Sequence, residues 1–286
     1  MRRLAVAAIA TVMAASAARA EAIGIVAAEN FYGDVAAQIG GAETRVDSIL
    51  ASPDQDPHLF EATPGAARRL AAARLVIYNG ADYDPWAAKL LAASRSARRE
   101  VIEVAALVHR KAGENPHLWY DPGTMPAVAK AVADSLARID PAHKASYAAR
   151  LGAFEQSLQP LLHKIAALHG RYAGTPATAT EPVFGYMAAA LGLEMRNAEF
   201  QRAVMNDTEP TPREVAAFEA DLRQHAVRVL IYNAQASGPL AERMRALAQR
   251  SGVPVLGVSE TEPRGKTYQE WMLSQLNALD QALAGK

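Results

Sequence analysis

Short unbroken apolar runs alternate with alanine-rich stretches of helical period along almost the whole chain. A strand that is apolar without alternating has both faces covered, and that burial belongs to parallel sheets sandwiched between crossover helices. The pattern predicts strands at residues 23–28, 46–50, 75–78 and 101–108, then at 177–180, 228–232 and 253–258. Helices are predicted between them, over 31–39, 64–73, 122–139, 183–191, 211–225, 240–250 and 268–283. Pro64 and Pro212 stand where a first helical turn tolerates a missing N–H.

The two groups of strands are separated by residues 141–172, in which Leu151, Phe154, Leu158, Leu161, Ile165 and Leu168 recur at three- and four-residue steps. That stripe predicts one long helix of about 45 Å, kinked where Pro160 removes a backbone hydrogen bond. The expected fold class is α/β, with two lobes, each a parallel sheet flanked by helices, joined by this backbone helix. Residues 21–140 would form the first lobe and 173–286 the second. An internal echo supports two similar lobes. Leu75-Val76-Ile77-Tyr78-Asn79 returns as Val229-Leu230-Ile231-Tyr232-Asn233, each preceded by a Thr-Pro helix start and followed by a proline at equal spacing, Pro85 and Pro239.

Residues 1–20 have the form of a secretory signal: Arg2 and Arg3, an apolar run over 4–13, and the small-x-small site Ala18-Arg19-Ala20. The apolar run is short for a membrane span, and a retained N-terminal anchor is the alternative. Cleavage after Ala20 would leave Glu21 as the first residue. The sequence has no cysteine, which excludes disulfides, thiolate metal ligands, thiol nucleophiles and a lipidated cysteine. A soluble, unanchored protein of the periplasm is expected, with free secretion as the alternative. Removing Arg2, Arg3 and Arg19 from 30 basic and 30 acidic residues leaves a formal charge of −3. That balance gives no basic surface for nucleic acid.

Two loops carry the same tetrapeptide, Pro57-His58-Leu59-Phe60 and Pro116-His117-Leu118-Trp119, each after an acid or amide residue, Asp56 and Asn115. Proline stiffens its own position and extends the one before it, so both histidines are held on rigid loops. Both loops are read as following strands, and in open parallel sheets ligands bind outside the carboxyl ends of the strands. Imidazole is the commonest protein metal ligand. Two histidines do not complete a cation site, so oxygen ligands or further histidines are required. Glu181 and Glu260 follow predicted strands of the second half, with Glu262 and Glu209 as competitors for the place of Glu260. His109 is a candidate accessory ligand, and His143, His163, His169 and His225 fall in helical patterns. The chain has no H-E-x-x-H helix, G-x-S-x-G elbow or glycine-rich phosphate loop.

With these residues in hand, the sequence resembles the substrate-binding proteins of bacterial ABC transporters for zinc and manganese, the metal-binding group with a rigid helix between two lobes. The resemblance runs through Asp56-Pro57-His58, Thr63-Pro64, Leu75 to Gly80, Pro116-His117-Leu118-Trp119-Tyr120-Asp121-Pro122, Glu181-Pro182-Val183-Phe184-Gly185-Tyr186 and Val253-Pro254-Val255 leading into Glu260. It implies four metal ligands, His58, His117, Glu181 and Glu260. Glu181 stands where zinc-selective members often have histidine and manganese-type members have glutamate. Glu260 replaces the usual aspartate, and the histidine-rich loop of many zinc members is missing. The cargo would be Zn²⁺ or Mn²⁺, carried by a monomer to a membrane permease, with no reaction catalysed. A chelate or siderophore carrier on the same architecture, or a secreted metallohydrolase, are the alternatives.

Overall fold

The computed structural model describes residues 21–52, 60–236 and 238–285. Strand β1 (Ile23–Glu29) leads into helix α1 (Asn30–Gly40) and strand β2 (Thr44–Leu50). Helix α2 (Pro64–Ala72), strand β3 (Leu75–Tyr78), helix α3 (Pro85–Ala93), strand β4 (Glu100–Glu103) and helix α4 (Val104–Leu107) follow. Next come α5 (Thr124–Ile139), α6 (Lys144–Ser157) and α7 (Gln159–Tyr172). The second set is β5 (Pro176–Ala179), α8 (Gly185–Ala190), β6 (Glu194–Arg196), α9 (Ala198–Met205), α10 (Pro212–Arg223), β7 (Leu230–Asn233), α11 (Pro239–Arg250), β8 (Val255–Val258) and α12 (Tyr268–Ala284).

The strands form two parallel sheets of identical topology, β2-β1-β3-β4 and β6-β5-β7-β8. The chain therefore changes direction across each sheet between β1 and β3, and between β5 and β7. A crevice opens at such switch points, at the carboxyl ends of the strands. The echo noted in the sequence is a true equivalence, because β3 and β7 hold the same place in their sheets. Thr63 and Thr211 cap α2 and α10 by accepting from the backbone N–H three residues on, and Thr211 completes a reciprocal capping box with Glu214.

Strand burial follows the two-residue period. Ile25 and Ala27 of β1 face a central core, whereas Val26 and Ala28 pack with Leu70, Val76 and Trp86 beneath α2 and α3. The second sheet repeats the scheme, with Leu230 packed on Phe218 and Met244 of α10 and α11. The central core is continuous between the lobes: Ile77, Trp119, Leu161, Ile165, Ile231, Trp271 and Leu276 belong to one buried cluster. Phe31 lies 4.5 Å from Trp119, and Tyr120 lies 5.2 Å from Phe184 and 5.8 Å from Trp271, ring centre to ring centre. Aromatic pairs of this kind contribute about 0.5–1.5 kcal/mol each beyond their area. Tyr120 also donates to Ser259 O at 2.8 Å and Tyr268 to Trp119 O at 2.8 Å, so polar atoms cross the same boundary.

Two expectations are corrected. The helix expected over 141–172 is a single turn of 3-10 helix at Pro141–His143, then α6 and α7 with a break at Leu158. The break lies two residues ahead of Pro160, whose ring and missing N–H disturb the preceding turn. Leu158 itself stays in the right-handed region, donating to Phe154 O and accepting from Leu162 N, so helical hydrogen bonds continue on both sides of it. The strand expected over 101–108 ends at Glu103 and continues as α4, because Ala105 N turns inward to Asn79 O at 2.8 Å. The second Pro-His loop therefore follows a short helix and a turn. Both connecting helices are tied down: Arg150 donates to the carbonyls of Ile39 and Gly40 at the end of α1, and Lys164, Arg171 and Tyr172 converge on Asp280 of α12.

Candidate metal centre

Pro116 and the following 3-10 turn Leu118–Tyr120 place His117 on the first-lobe side of the cleft with no solvent exposure. Its backbone N–H and its Nδ1 both meet Asn115 Oδ1, at 3.1 and 2.6 Å. Asn115 Nδ2 donates to Pro182 O at 2.7 Å, which fixes the amide with its oxygen toward the ring. An oxygen there requires a proton on Nδ1, so the neutral ring has its lone pair on Nε2. Nε2 finds no hydrogen-bond partner among the described residues.

Glu181 follows β5 in extended conformation immediately before Pro182, and Glu260 follows β8. Their carboxylates approach the same imidazole. Nε2 lies 3.8 Å from Glu181 Oε1 and 3.5 Å from Glu260 Oε2. One ligand atom from each of His117, Glu181 and Glu260 lies within 4.8 Å of the others. Three electron-pair donors thus face one point in a buried volume, with Glu181 4 % and Glu260 0 % exposed. Burying two carboxylates together is costly unless a cation neutralises them.

Three neighbours hold this arrangement. Asn233, the last residue of β7, donates through Nδ2 to Glu181 Oε2 at 2.9 Å and Glu260 Oε1 at 2.5 Å. Gln235 Oε1 accepts from the backbone N–H of Glu260 and Thr261 at 2.6 and 2.9 Å, tying the Glu260 loop to the end of β7. Tyr83, from the first lobe, donates its hydroxyl to Glu260 Oε2 at 2.9 Å. Burial, then the negative charge of Glu260, holds the Tyr83 hydroxyl well above its ordinary pKa, so it remains a donor.

Beneath the first-lobe loop lies a second layer. Asn79, just past β3, donates to Pro116 O at 2.9 Å and accepts from Tyr32 Oη at 2.6 Å. Asp84 accepts from the N–H groups of Asn79 and Gly80 at 2.7 and 2.8 Å. Gly80 has φ +75°, and a Cβ there would meet Glu103 Oε1 at 2.8 Å and Ala105 Cβ at 3.0 Å, so glycine is required on both counts. Burial raises the Asp84 carboxyl to about 6 against those donors. Glu29 is fully buried beside it; burial first, then the Asp84 charge, pushes its carboxyl well above the usual range. Among the described residues neither Glu29 carboxyl oxygen has a hydrogen-bond partner.

The structure brings together His117, Glu181 and Glu260 of the residues expected from the sequence. His58 lies outside the described residues. Glu209 is exposed, and Glu262 is turned toward Asn30, its backbone N–H bonded to Asn30 Oδ1. Burial, then Asp34 and Glu270, pushes the Glu262 carboxyl up to about 9. His109, His143, His163, His169 and His225 are all exposed. Sequence reasoning noted Asn115 only as the amide before Pro116, and missed Tyr83, Asn233 and Gln235. Asn233 carried one signal, its match to Asn79 in the internal echo.

The family model for the periplasmic zinc-uptake complex component A, ZnuA, matches residues 25–282. The chain belongs to this family. A manganese ABC transporter substrate-binding lipoprotein, PsaA of Streptococcus mitis, is 23% identical over 292 residues, covering 94% of this chain and 91% of the relative. The periplasmic zinc-binding protein TroA of Treponema pallidum superposes with a TM-score of 0.77 at 20% identity, over 92% of this chain and 99% of the other. A point mutant of a periplasmic metal-binding protein from Candidatus Liberibacter asiaticus, in its Mn-bound form, gives 0.74 at 16% identity, over 92% and 100%. These superpositions establish the two-lobed fold. The ZnuA-family chain is accordingly a metal-binding, substrate-binding protein of an ABC transporter, a family of binding proteins and not of enzymes. Among its described residues no helix is long and apolar enough to cross a membrane.

Proposed function

We propose that the chain is exported, loses residues 1–20, captures one divalent cation, Zn²⁺ or Mn²⁺, between its lobes and presents it to a membrane permease as a monomer. His58 and His117 supply nitrogen ligands from the first lobe (residues 21–140), and Glu181 and Glu260 supply oxygen ligands from the second (173–286). Residues 141–172 hold the lobes in register. Two neutral imidazoles and two carboxylates carry a charge of −2, which a divalent ion balances.

The observation that carries this reading is the lone pair of His117 Nε2 facing Glu181 Oε1 and Glu260 Oε2 at 3.8 and 3.5 Å. Acceptors gathered around one point are stabilised together by a cation. Ligand atoms within 4.8 Å of one another suit a bare ion, whereas a chelate carrier needs a wide cleft with basic or aromatic lining. The test is calorimetric titration of chelator-stripped protein with Zn²⁺ and Mn²⁺. One equivalent should bind, and His58→Ala and His117→Ala should each weaken binding by orders of magnitude. Unchanged affinity in both variants would place the cation elsewhere, and a copurified organic ligand in the native mass spectrum would favour the chelate carrier.

A further inference from the structure

One carboxamide holds both second-lobe carboxylates. Asn233 is 4 % exposed, ends β7 at the switch point beside β5, and accepts from Gln235 N through Oδ1 at 3.0 Å. That contact fixes which end of the amide is oxygen, so Nδ2 must point the other way. It does, reaching Glu181 Oε2 at 2.9 Å and Glu260 Oε1 at 2.5 Å. The oxygens on the His117 side are the partners of these two, Glu181 Oε1 and Glu260 Oε2. Each glutamate is thereby divided into one oxygen given to the amide and one turned toward the imidazole.

We infer that Asn233 is a positioning and specificity-determining residue, which restricts Glu181 and Glu260 to one metal-facing oxygen each and so tunes the site for four-coordinate Zn²⁺ over Mn²⁺. This rests on the reading of Glu181 and Glu260 as ligands. A carboxylate that turns both oxygens to a metal raises the coordination number, and Mn²⁺ favours six oxygen-rich ligands whereas Zn²⁺ is satisfied by four. With both Nδ2 protons committed, a glutamate that swung its second oxygen off the amide and onto the metal would leave a buried N–H unpaired. Oxygen ligands around a cation usually argue for Mn²⁺; here the residue behind them restores the preference that their number alone would relax.

The test uses the mature wild-type protein with Asn233→Ala and Asn233→Asp. The aspartate variant keeps the shape of the side chain and removes the donor, so it serves if the alanine variant does not fold. Zn²⁺ and Mn²⁺ affinities are measured by competition, and X-ray absorption of the loaded proteins gives the coordination number. Wild type should hold Zn²⁺ with four ligands, and both variants should lower the Zn/Mn affinity ratio by about tenfold or more, the scale of a lost outer partner, with coordination rising to five or six. A wild type that binds metal with six ligands, or variants with an unchanged ratio and coordination number, would overturn the inference while leaving the metal-binding reading intact. Failure of wild type to bind either ion would overturn both.

Discussion

Asn79 and Asn233 close equivalent strands of the two lobes and hold opposite halves of the candidate metal centre. Asn79 Nδ2 binds Pro116 O, one residue before His117, and Asn233 Nδ2 binds both Glu181 and Glu260. The lobes share a scaffold in which the third strand of each sheet ends in a buried carboxamide. In one lobe that amide fixes a loop backbone; in the other it fixes side chains directly.

Asn79→Ala should therefore damage both fold and site. It removes a buried group that pairs with Pro116 O, Gly80 O and Tyr32 Oη. The expected loss is about 1–3 kcal/mol of stability, with weaker metal binding through a loosened His117 loop. Urea unfolding and metal titration check the two parts. An unchanged midpoint with unchanged affinity would mean that the loop is held by proline stiffness alone.

Glu29→Gln should change how stability depends on pH. Burial raises the Glu29 carboxyl well above its ordinary 4.5, so the folded protein retains a proton that the unfolded chain releases. Stability then falls as pH rises from about 4.5 toward the folded value, by up to about 1.4 kcal/mol per pH unit. Glutamine keeps the size of the side chain and does not titrate. The metal-free variant should gain on wild type in thermal unfolding as pH rises above about 4.5, until the folded carboxyl itself ionises. Parallel curves would show that Glu29 ionises freely.

Much of the architecture was readable from residue pattern because its strands are buried on both faces. Residues such as Leu75, Val76, Ile77 and Tyr78 form an apolar run that only a covered parallel strand accommodates, and the observed β3 has the expected bounds. The reading failed where tertiary contacts overrode the run, as at Ala105, which turns to reach Asn79. It passed over β6, whose Glu194-Met195-Arg196 pairs at the sheet edge with little apolar content, and α9, which starts after a left-handed Asn197. Helix α3 lay in an alanine-rich stretch whose proline start was noted only as part of the echo. At the site, Glu181 and Glu260 were placed by their positions after strands. Asn233 was not, because an amide at a strand end has no chemistry of its own until the carboxylates around it are seen.

Glu181→His should shift preference toward Zn²⁺. It replaces an oxygen ligand by nitrogen and removes one of the two carboxylates bound to Asn233. Imidazole suits zinc better than manganese, so Mn²⁺ affinity should fall more than Zn²⁺ affinity in competition titrations. Equal losses would argue that Glu181 contributes charge alone.

Metal loading should leave the overall dimensions nearly unchanged. The lobes share one buried core, and Trp119 of the first packs on Phe31 while its carbonyl accepts from Tyr268 of the second. Opening such a boundary would expose apolar surface, at about 1.5–3 kcal/mol for each large side chain uncovered. Small-angle scattering with and without Zn²⁺ should give the same radius of gyration within error. A large compaction would show a hinge at the α6–α7 break.

The central claim is that His117, Glu181 and Glu260, together with His58, hold one cation. Anomalous diffraction at the zinc edge, from crystals of protein loaded with one equivalent of Zn²⁺, tests it most directly. The account predicts a single peak at bonding distance, about 2.0–2.2 Å, from His117 Nε2 and from one oxygen each of Glu181 and Glu260. A peak bound elsewhere, with these three side chains still facing one another across an empty point, would contradict it.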